Sequence, residues 1–247
     1  MKFKTSGMSE TEIKLNPTEN DIEEIKNWLK NEDAKFNEGF YCNWNIIWDS
    51  FLRKQLICCS INDTPVGFLV WSKGEIYIEI DIMEIRPEYR KKGIGHYFIE
   101  KISVHFKDLG FKALKLFCEP RESESFWEKE GFIQFPKRGY SESDLTFFKP
   151  LVEILATTQK DKSLNKIELW DVEPHEATNL KAKWTWNINL NDDDCLKIPI
   201  LHPCNINWNI RWTRNGQIAI EDKVKYFSRD YPIYSEPFLF IEELHEN

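Results

Sequence analysis

Apolar and polar residues alternate strictly through E-I-Y-I-E-I-D-I, residues 75–82. That is the period of a β-strand with two unlike faces. Ile76, Ile78, Ile80 and Ile82 share one face, and Glu75, Tyr77, Glu79 and Asp81 share the other. The strand is predicted to run to residue 85. From Gly93 to about Gly110 the period changes, with Ile94, Phe98, Ile102 and Phe106 four apart, which predicts an amphipathic helix. Upstream, the pattern predicts a short strand over 11–16 and a helix over 20–30 (Ile22, Ile25, Trp28, Leu29) capped by Asn20. A second helix is expected over 44–52, with Trp44, Ile47, Trp48 and Phe51 on one stripe. Strands over 56–61 and 66–71 flank the turn N-D-T-P. Downstream come a strand over 113–118, a short helix over 123–129, and strands over 132–135 and 145–148.

The character of the chain changes near residue 150. Beyond a polar stretch at 157–165 it reads as strands and turns: 167–172, 181–190, 196–200, 206–213, 217–227 and 238–242, with Asn215-Gly216 as a hairpin signal. Two domains are therefore expected, 1–150 and 151–247. The second is a smaller, mostly-β domain holding five of the ten tryptophans, Trp170, Trp184, Trp186, Trp208 and Trp212. W-x-W alternation puts paired rings on one face, as the core of a small sandwich or open barrel. Its role is left open among selecting a substrate, covering a cleft and forming a homodimer.

Composition narrows the class of partner. A formal charge of −8 and a pI near 5.3 argue against nucleic acid. The opening residues lack the apolar core of a signal peptide, and no apolar run reaches spanning length, so no membrane role and a cytoplasmic location are expected. Six cysteines without C-x-x-C spacing read as reduced, small apolar residues. Cys195, His202, Cys204 and His175 have the wrong spacing for structural zinc, and no metal is expected.

The strand over 75–85 leads into I-R-P-E-Y-R-K-K-G-I-G, residues 85–95. Cations and two glycines ahead of a helix make an anion site, because the first-turn N–H groups lack helical acceptors and the dipole favours negative charge. The spacing is not that of a P-loop. Nor is it the dinucleotide fingerprint, whose third glycine is replaced by Phe98.

Arg90-Lys91-Lys92-Gly93-Ile94-Gly95 fits the pattern [QR]-x-x-G-x-[GA], and F-W-E-K-E-G-F (126–132) follows at the right distance. On these two landmarks residues 10–149 resemble the GCN5-related N-acetyltransferase (GNAT) family. The resemblance implies an α+β fold, a GNAT-like mixed central sheet flanked by helices, with acetyl-CoA as cosubstrate. By it, Arg90, Lys91, Lys92, Gly93, Ile94 and Gly95 hold the pyrophosphate, Met83, Glu84 and Ile85 pair with the pantetheine arm, and Trp127 packs against the cofactor. Glu79 stands where histone-acetylating members carry a general-base glutamate, with Asp81 as second candidate. The family's usual acid, a tyrosine four residues before the Gly of Gly-Phe, is here Trp127, whose indole is not a usable acid. Ser123, Ser125 and Tyr140 are the substitutes within reach. Phe36, Phe40, Tyr41, Trp44 and Trp48 fall where acceptors bind in this fold, and aromatics with acids suit a cationic amine. The expected activity is acetyl transfer to a primary amine, on a small molecule or a peptide. The alternative is a non-catalytic acetyl-CoA sensor whose β domain binds a partner.

Overall fold

The structure is a computed structural model that describes residues 11–137, 144–159, 163–191 and 194–244. It divides into two compact units, residues 1–133 with 147–151, and residues 134–146 with 152–247. Among the described residues no helix is long and apolar enough to cross a membrane.

One seven-stranded sheet contains β1 (Thr11–Lys14), β2 (Leu56–Ile61), β3 (Thr64–Lys73), β4 (Tyr77–Ile85), β5 (Ala113–Phe117), β6 (Ile133–Gln134) and β7 (Thr146–Pro150), in the order β1-β2-β3-β4-β5-β7-β6. β1 to β4 pair antiparallel and β4 pairs β5 parallel. The helices are α1 (Glu19–Phe36), α2 (Trp44–Leu52), α3 (Ile94–Asp108) and α4 (Glu124–Lys129). This is the arrangement expected above, a mixed central sheet with helices. Ile22, Ile25, Trp28 and Leu29 of α1 and Ile47 of α2 share a core with Leu56, Phe68, Val70 and Ile82 of the sheet. In α3 the expected stripe is buried at Phe98, Ile102 and Phe106.

Two details of α1 differ from the sequence reading. Its cap is Thr18, whose hydroxyl accepts from the Asp21 N–H at 3.2 Å while Asp21 accepts from the Thr18 N–H at 2.8 Å. A reciprocal box of this kind outcompetes Asn20 as the start signal. The helix also runs on to Phe36, where Asn37 ends it with φ of 54°. The extra turns put Glu32 on the buried stripe of Ile22, Ile25 and Leu29.

The second unit holds a four-stranded sheet, order β12-β11-β8-β9, and a three-stranded sheet, order β10-β14-β13. The strands are β8 (Lys166–Leu169), β9 (Trp184–Asn187), β10 (Cys195–Pro203), β11 (Asn209–Arg214), β12 (Gln217–Lys223), β13 (Tyr234–Ser235) and β14 (Phe238–Glu243). Both sheets contribute to one core, with Ile167, Trp186 and Trp212 from the first and Ile200, Leu239 and Ile241 from the second. Trp184 and Trp186 lie on one face, with ring centroids 4.5 and 5.5 Å from His202. The expected strand over 217–227 stops at Lys223, because residues 224–227 form a helical turn, α6 (Val224–Phe227), that buries Val224 and Phe227. A further turn of helix, α5 (Pro174–Ala177), was not anticipated. None of the six cysteines is joined in a disulfide. Among the described residues no His, Cys, Asp and Glu side chains gather in a group able to hold a metal ion.

Removing a fully buried ring should cost more than removing a cap. Phe68→Ala is expected to lower stability by about 3–5 kcal/mol, and Thr18→Ala by about 1 kcal/mol. Urea unfolding followed by far-UV circular dichroism checks both, and a Thr18 effect as large as the Phe68 effect contradicts the packing account.

Candidate active site

The site begins where β4 and β5 part. Their parallel pairing runs from Tyr77↔Ala113 to Ile80↔Leu116 and goes no further. On the other edge, β3 still pairs with β4 as far as Ile85. Val70 lies opposite Ile82 and Trp71 opposite Ile80, so Asp81 is one extra residue in β4. Such a bulge bends a strand and re-aims its side chains. Beyond it, residues 81–85 form one wall of a cleft of about 1120 Å³. Leu116 and Phe117 at the end of β5, and Pro120, Ser123, Phe126 and Trp127 around α4, line it too.

The cleft reaches the start of α3. Lys91 (φ 59°) and Gly93 (φ 80°) turn the backbone there through the left-handed region. The first helical hydrogen bond runs from the Tyr97 N–H to the Gly93 carbonyl, so the N–H groups of residues 94–96 have no helical acceptor. The two glycines do different work. At Gly93 a Cβ would meet nothing within 4 Å, so space is open there and the positive φ is what requires glycine. At Gly95 a Cβ would stand 3.1 Å from the Phe126 ring, so this glycine lets α3 pack closely on α4.

The expected site residues separate into groups. Met83, Glu84, Ile85, Arg90, Lys91, Gly93, Gly95, Trp127 and Asp81 all line the cleft. Lys92 does not, and its Nζ stands over the Tyr89 ring at 5.4 Å. Ile94 also lies outside the lining. Arg90 is also engaged by protein groups: its Nε–H donates to the Ile85 carbonyl at 2.7 Å, and Nη2 donates to Glu32 and Glu84 at 2.7 and 2.8 Å. Glu79 is also outside the lining. Its Oε1 accepts from Lys115 Nζ at 2.6 Å, across the parallel pair that joins β4 to β5.

Asp81 has the more suitable surroundings. It is exposed to the cleft, and its Oδ1 accepts from the Ser72 hydroxyl at 3.2 Å. Partial desolvation pushes its carboxyl above the ordinary value and the Glu79 charge adds to this, while Ser72, Lys115 and Arg53 pull the other way. The Trp127 indole N–H donates to the Ser123 hydroxyl at 3.1 Å, which in turn donates to the Pro120 carbonyl at 2.8 Å. Neither is a ready proton donor. Ser125 is absent from the lining, and Tyr140 lies outside the described residues. Of the aromatic residues proposed for the acceptor, Phe40 alone lines the cleft. Tyr41 and Trp44 pack on the α1–α2 core instead.

The lining residues that escaped the sequence reading include Glu32, Glu38, Gly39, His96, Glu119, Glu122 and Glu130. His96 Nδ1 lies 2.9 Å from Glu130 Oε2. The signal for Glu32 was present, since it continues the 22-25-29 stripe by one more turn.

Residues 21–132 match the model of the acetyltransferase (GNAT) family. Comparison with curated proteins finds no match. Among solved structures, Ard1 from Thermoplasma volcanium is 17% identical over 58% of this chain and 99% of its own, with a TM-score of 0.45. The PaiA N-acetyltransferase from Thermoplasma acidophilum, in complex with coenzyme A, is 19% identical over 57% and 98%, TM-score 0.45. The GNAT family N-acetyltransferase YhbS from Escherichia coli, in complex with CoA, is 10% identical over 60% and 85%, TM-score 0.47.

The different tasks of the glycines predict different failures. Gly93→Ala should lose about 1 kcal/mol from its positive φ while leaving the α3–α4 contact intact. Gly95→Val should instead displace Phe126. Thermal melts combined with near-UV circular dichroism of the aromatic cluster check this; an unchanged aromatic signal in Gly95→Val contradicts it.

Proposed function

Since residues 21–132 form an acetyltransferase domain of the GNAT family, we propose that this protein moves an acetyl group from acetyl-CoA to a primary amine. The observation that carries the reading is a single cleft joining three features: the parted edge of β4, the bulge at Asp81 and the glycine loop opening α3. Fit with the cosubstrate is supported by the open space above Gly93 and by the unpaired N–H groups that follow it. Those groups, with Lys91, would hold the pyrophosphate. Residues 83–85, unpaired toward β5, would lie along the pantetheine arm. Acetyl-CoA supplies the activated thioester.

The protein's own task is to present a neutral amine and to orient it. Asp81 is the better base, because it faces the cleft with a raised carboxyl pKa, whereas Glu79 is held by Lys115. Glu79 then acts on Asp81 through its charge. Asp81, Glu38, Glu119 and Glu122 around the cleft favour a cationic amine, small or peptidic, as acceptor. The chain offers Trp127 in place of an acidic tyrosine, so the leaving thiolate would take its proton from solvent. Thiolate is a tolerable leaving group, and this slows transfer without abolishing it.

Amine-dependent release of free thiol from acetyl-CoA tests the reading. Asp81→Asn should lower kcat by about 10²–10⁴-fold with acetyl-CoA affinity unchanged, and Glu79→Gln should have a much smaller effect. The wild-type rate should rise with pH through a value above the ordinary one for an aspartate, because Asp81 works as a base only when ionised. The Asn variant should lack that limb. Binding without thiol release across a panel of amines would leave the alternative, a non-catalytic acetyl-CoA sensor.

A further inference from the structure

The cleft wall contains two acids that this chemistry does not use. Glu32, on α1, and Glu84, on β4, are 5% and 6% exposed. Both Oε1 atoms accept from the same nitrogen, Arg90 Nη2, at 2.7 and 2.8 Å. One cation therefore faces two buried carboxyls. Each Oε2 is buried without a donor, which a charged oxygen tolerates poorly. A single proton between the two carboxyls supplies the missing donor and brings their joint charge to the one that Arg90 can balance.

The pair also sits beneath a segment of the cleft rim. A Cβ on Gly39 would stand 3.3 Å from Glu32 Cδ and 3.4 Å from Glu84 Oε1. Gly39 itself has φ of 86°, a conformation that glycine adopts without strain. Arg90, the first residue of the loop that opens α3, ties the pair to the Ile85 carbonyl.

We propose that Glu32, Glu84 and Arg90 are positioning residues, a carboxyl pair sharing one proton that clamps residues 38–40 onto β4 and onto the approach to the α3 loop. Its consequence for ligand binding rests on the reading of the cleft as an acetyl-CoA site; the clamp itself does not. Burial above all, and then Glu32, raise the Glu84 carboxyl to about 8, against the pull of Arg90 and the Phe40 N–H. The charged groups facing Glu84 are Glu32 from α1 and Arg90 from the segment after β4, with Glu38 and Lys91 elsewhere on the cleft wall. β3 places Phe68 opposite Glu84 and adds no charge there.

The pH dependence follows. Glu84 binds its proton more tightly in the folded chain than in the unfolded one. Its contribution to stability is full below the ordinary carboxylate value and is lost as pH rises toward about 8. Above that, two charges oppose one guanidinium and the clamp loosens. Glu84→Gln keeps a donor in place of the proton and should remove the effect.

The test compares wild type with Glu84→Gln from pH 5.5 to 9.5 by thermal melts, by hydrogen exchange at residues 38–40 corrected for intrinsic rates, and by acetyl-CoA titration. Wild-type stability should fall relative to Glu84→Gln up to about pH 8 and then run parallel to it. Protection at 38–40 should drop in wild type at high pH and persist in the variant. Wild-type acetyl-CoA affinity should weaken roughly fivefold between pH 8 and 9, as the competent population falls, and the variant should be flat. Glu32→Gln should reproduce the result, because the proton is shared, and it serves if Glu84→Gln folds poorly. Equal pH slopes in wild type and both variants overturn the proposal. Absence of acetyl-CoA binding with the stability and exchange differences intact would refute the ligand reading and keep the clamp.

Discussion

Everything proposed for this protein depends on a place where two strands stop pairing. β4 and β5 run parallel to Ile80↔Leu116 and then separate, while β3 holds the other edge of β4 as far as Ile85. An unpaired backbone edge is costly inside a protein unless something hydrogen-bonds to it. Here the edge faces a cleft rather than a neighbour, and the extra residue at Asp81 bends the strand at the point of separation. The rigid β3–β4 pairing, backed by Phe68 and Val70 in the core, keeps that opening from closing by strand slippage.

The acids around the opening carry different loads because their surroundings differ. Glu79 precedes the separation and is consumed in a cross-strand ion pair with Lys115. Asp81 stands at the separation, partly desolvated and facing the cleft. Glu84 lies beyond it, buried with Glu32 around one guanidinium. Three carboxyls of one strand thus meet three environments: an ion pair, a half-solvated cleft wall and a buried pair around one cation.

Much of this was legible in the sequence, and the residues show why the rest was not. The period-two run of β4 and the period-four stripe of α3 announce their elements, because burial on one face leaves a periodic trace. The two glycines at 93 and 95 announce a turn of bare backbone at a helix start, and the structure places that turn on the cleft. The carboxyl partners of Arg90 were not legible because they lie 58 and 6 residues away in sequence, on elements whose approach no local pattern reveals. Glu79 ranks ahead of Asp81 as base in the sequence, because the bulge that gives the two different neighbours leaves no local trace. Gly95 carries the family motif, yet its requirement comes from the Phe126 ring, a contact between helices that spacing alone does not disclose. In the second unit the hairpin and the W-x-W strand were readable, while Val224–Phe227 alternates too little to separate a strand's end from a turn of helix.

The central claim is that the bare backbone at Gly93 is a pyrophosphate site, and calorimetric titration with acetyl-CoA and with CoA tests it most directly. Wild type should bind both, with similar affinity, because the shared pyrophosphate carries the contact. Gly93→Glu places bulk and negative charge in the open space above the loop and should abolish binding of both while the fold is retained. A folded wild type that binds neither, or a folded Gly93→Glu that binds as well as wild type, would contradict the account.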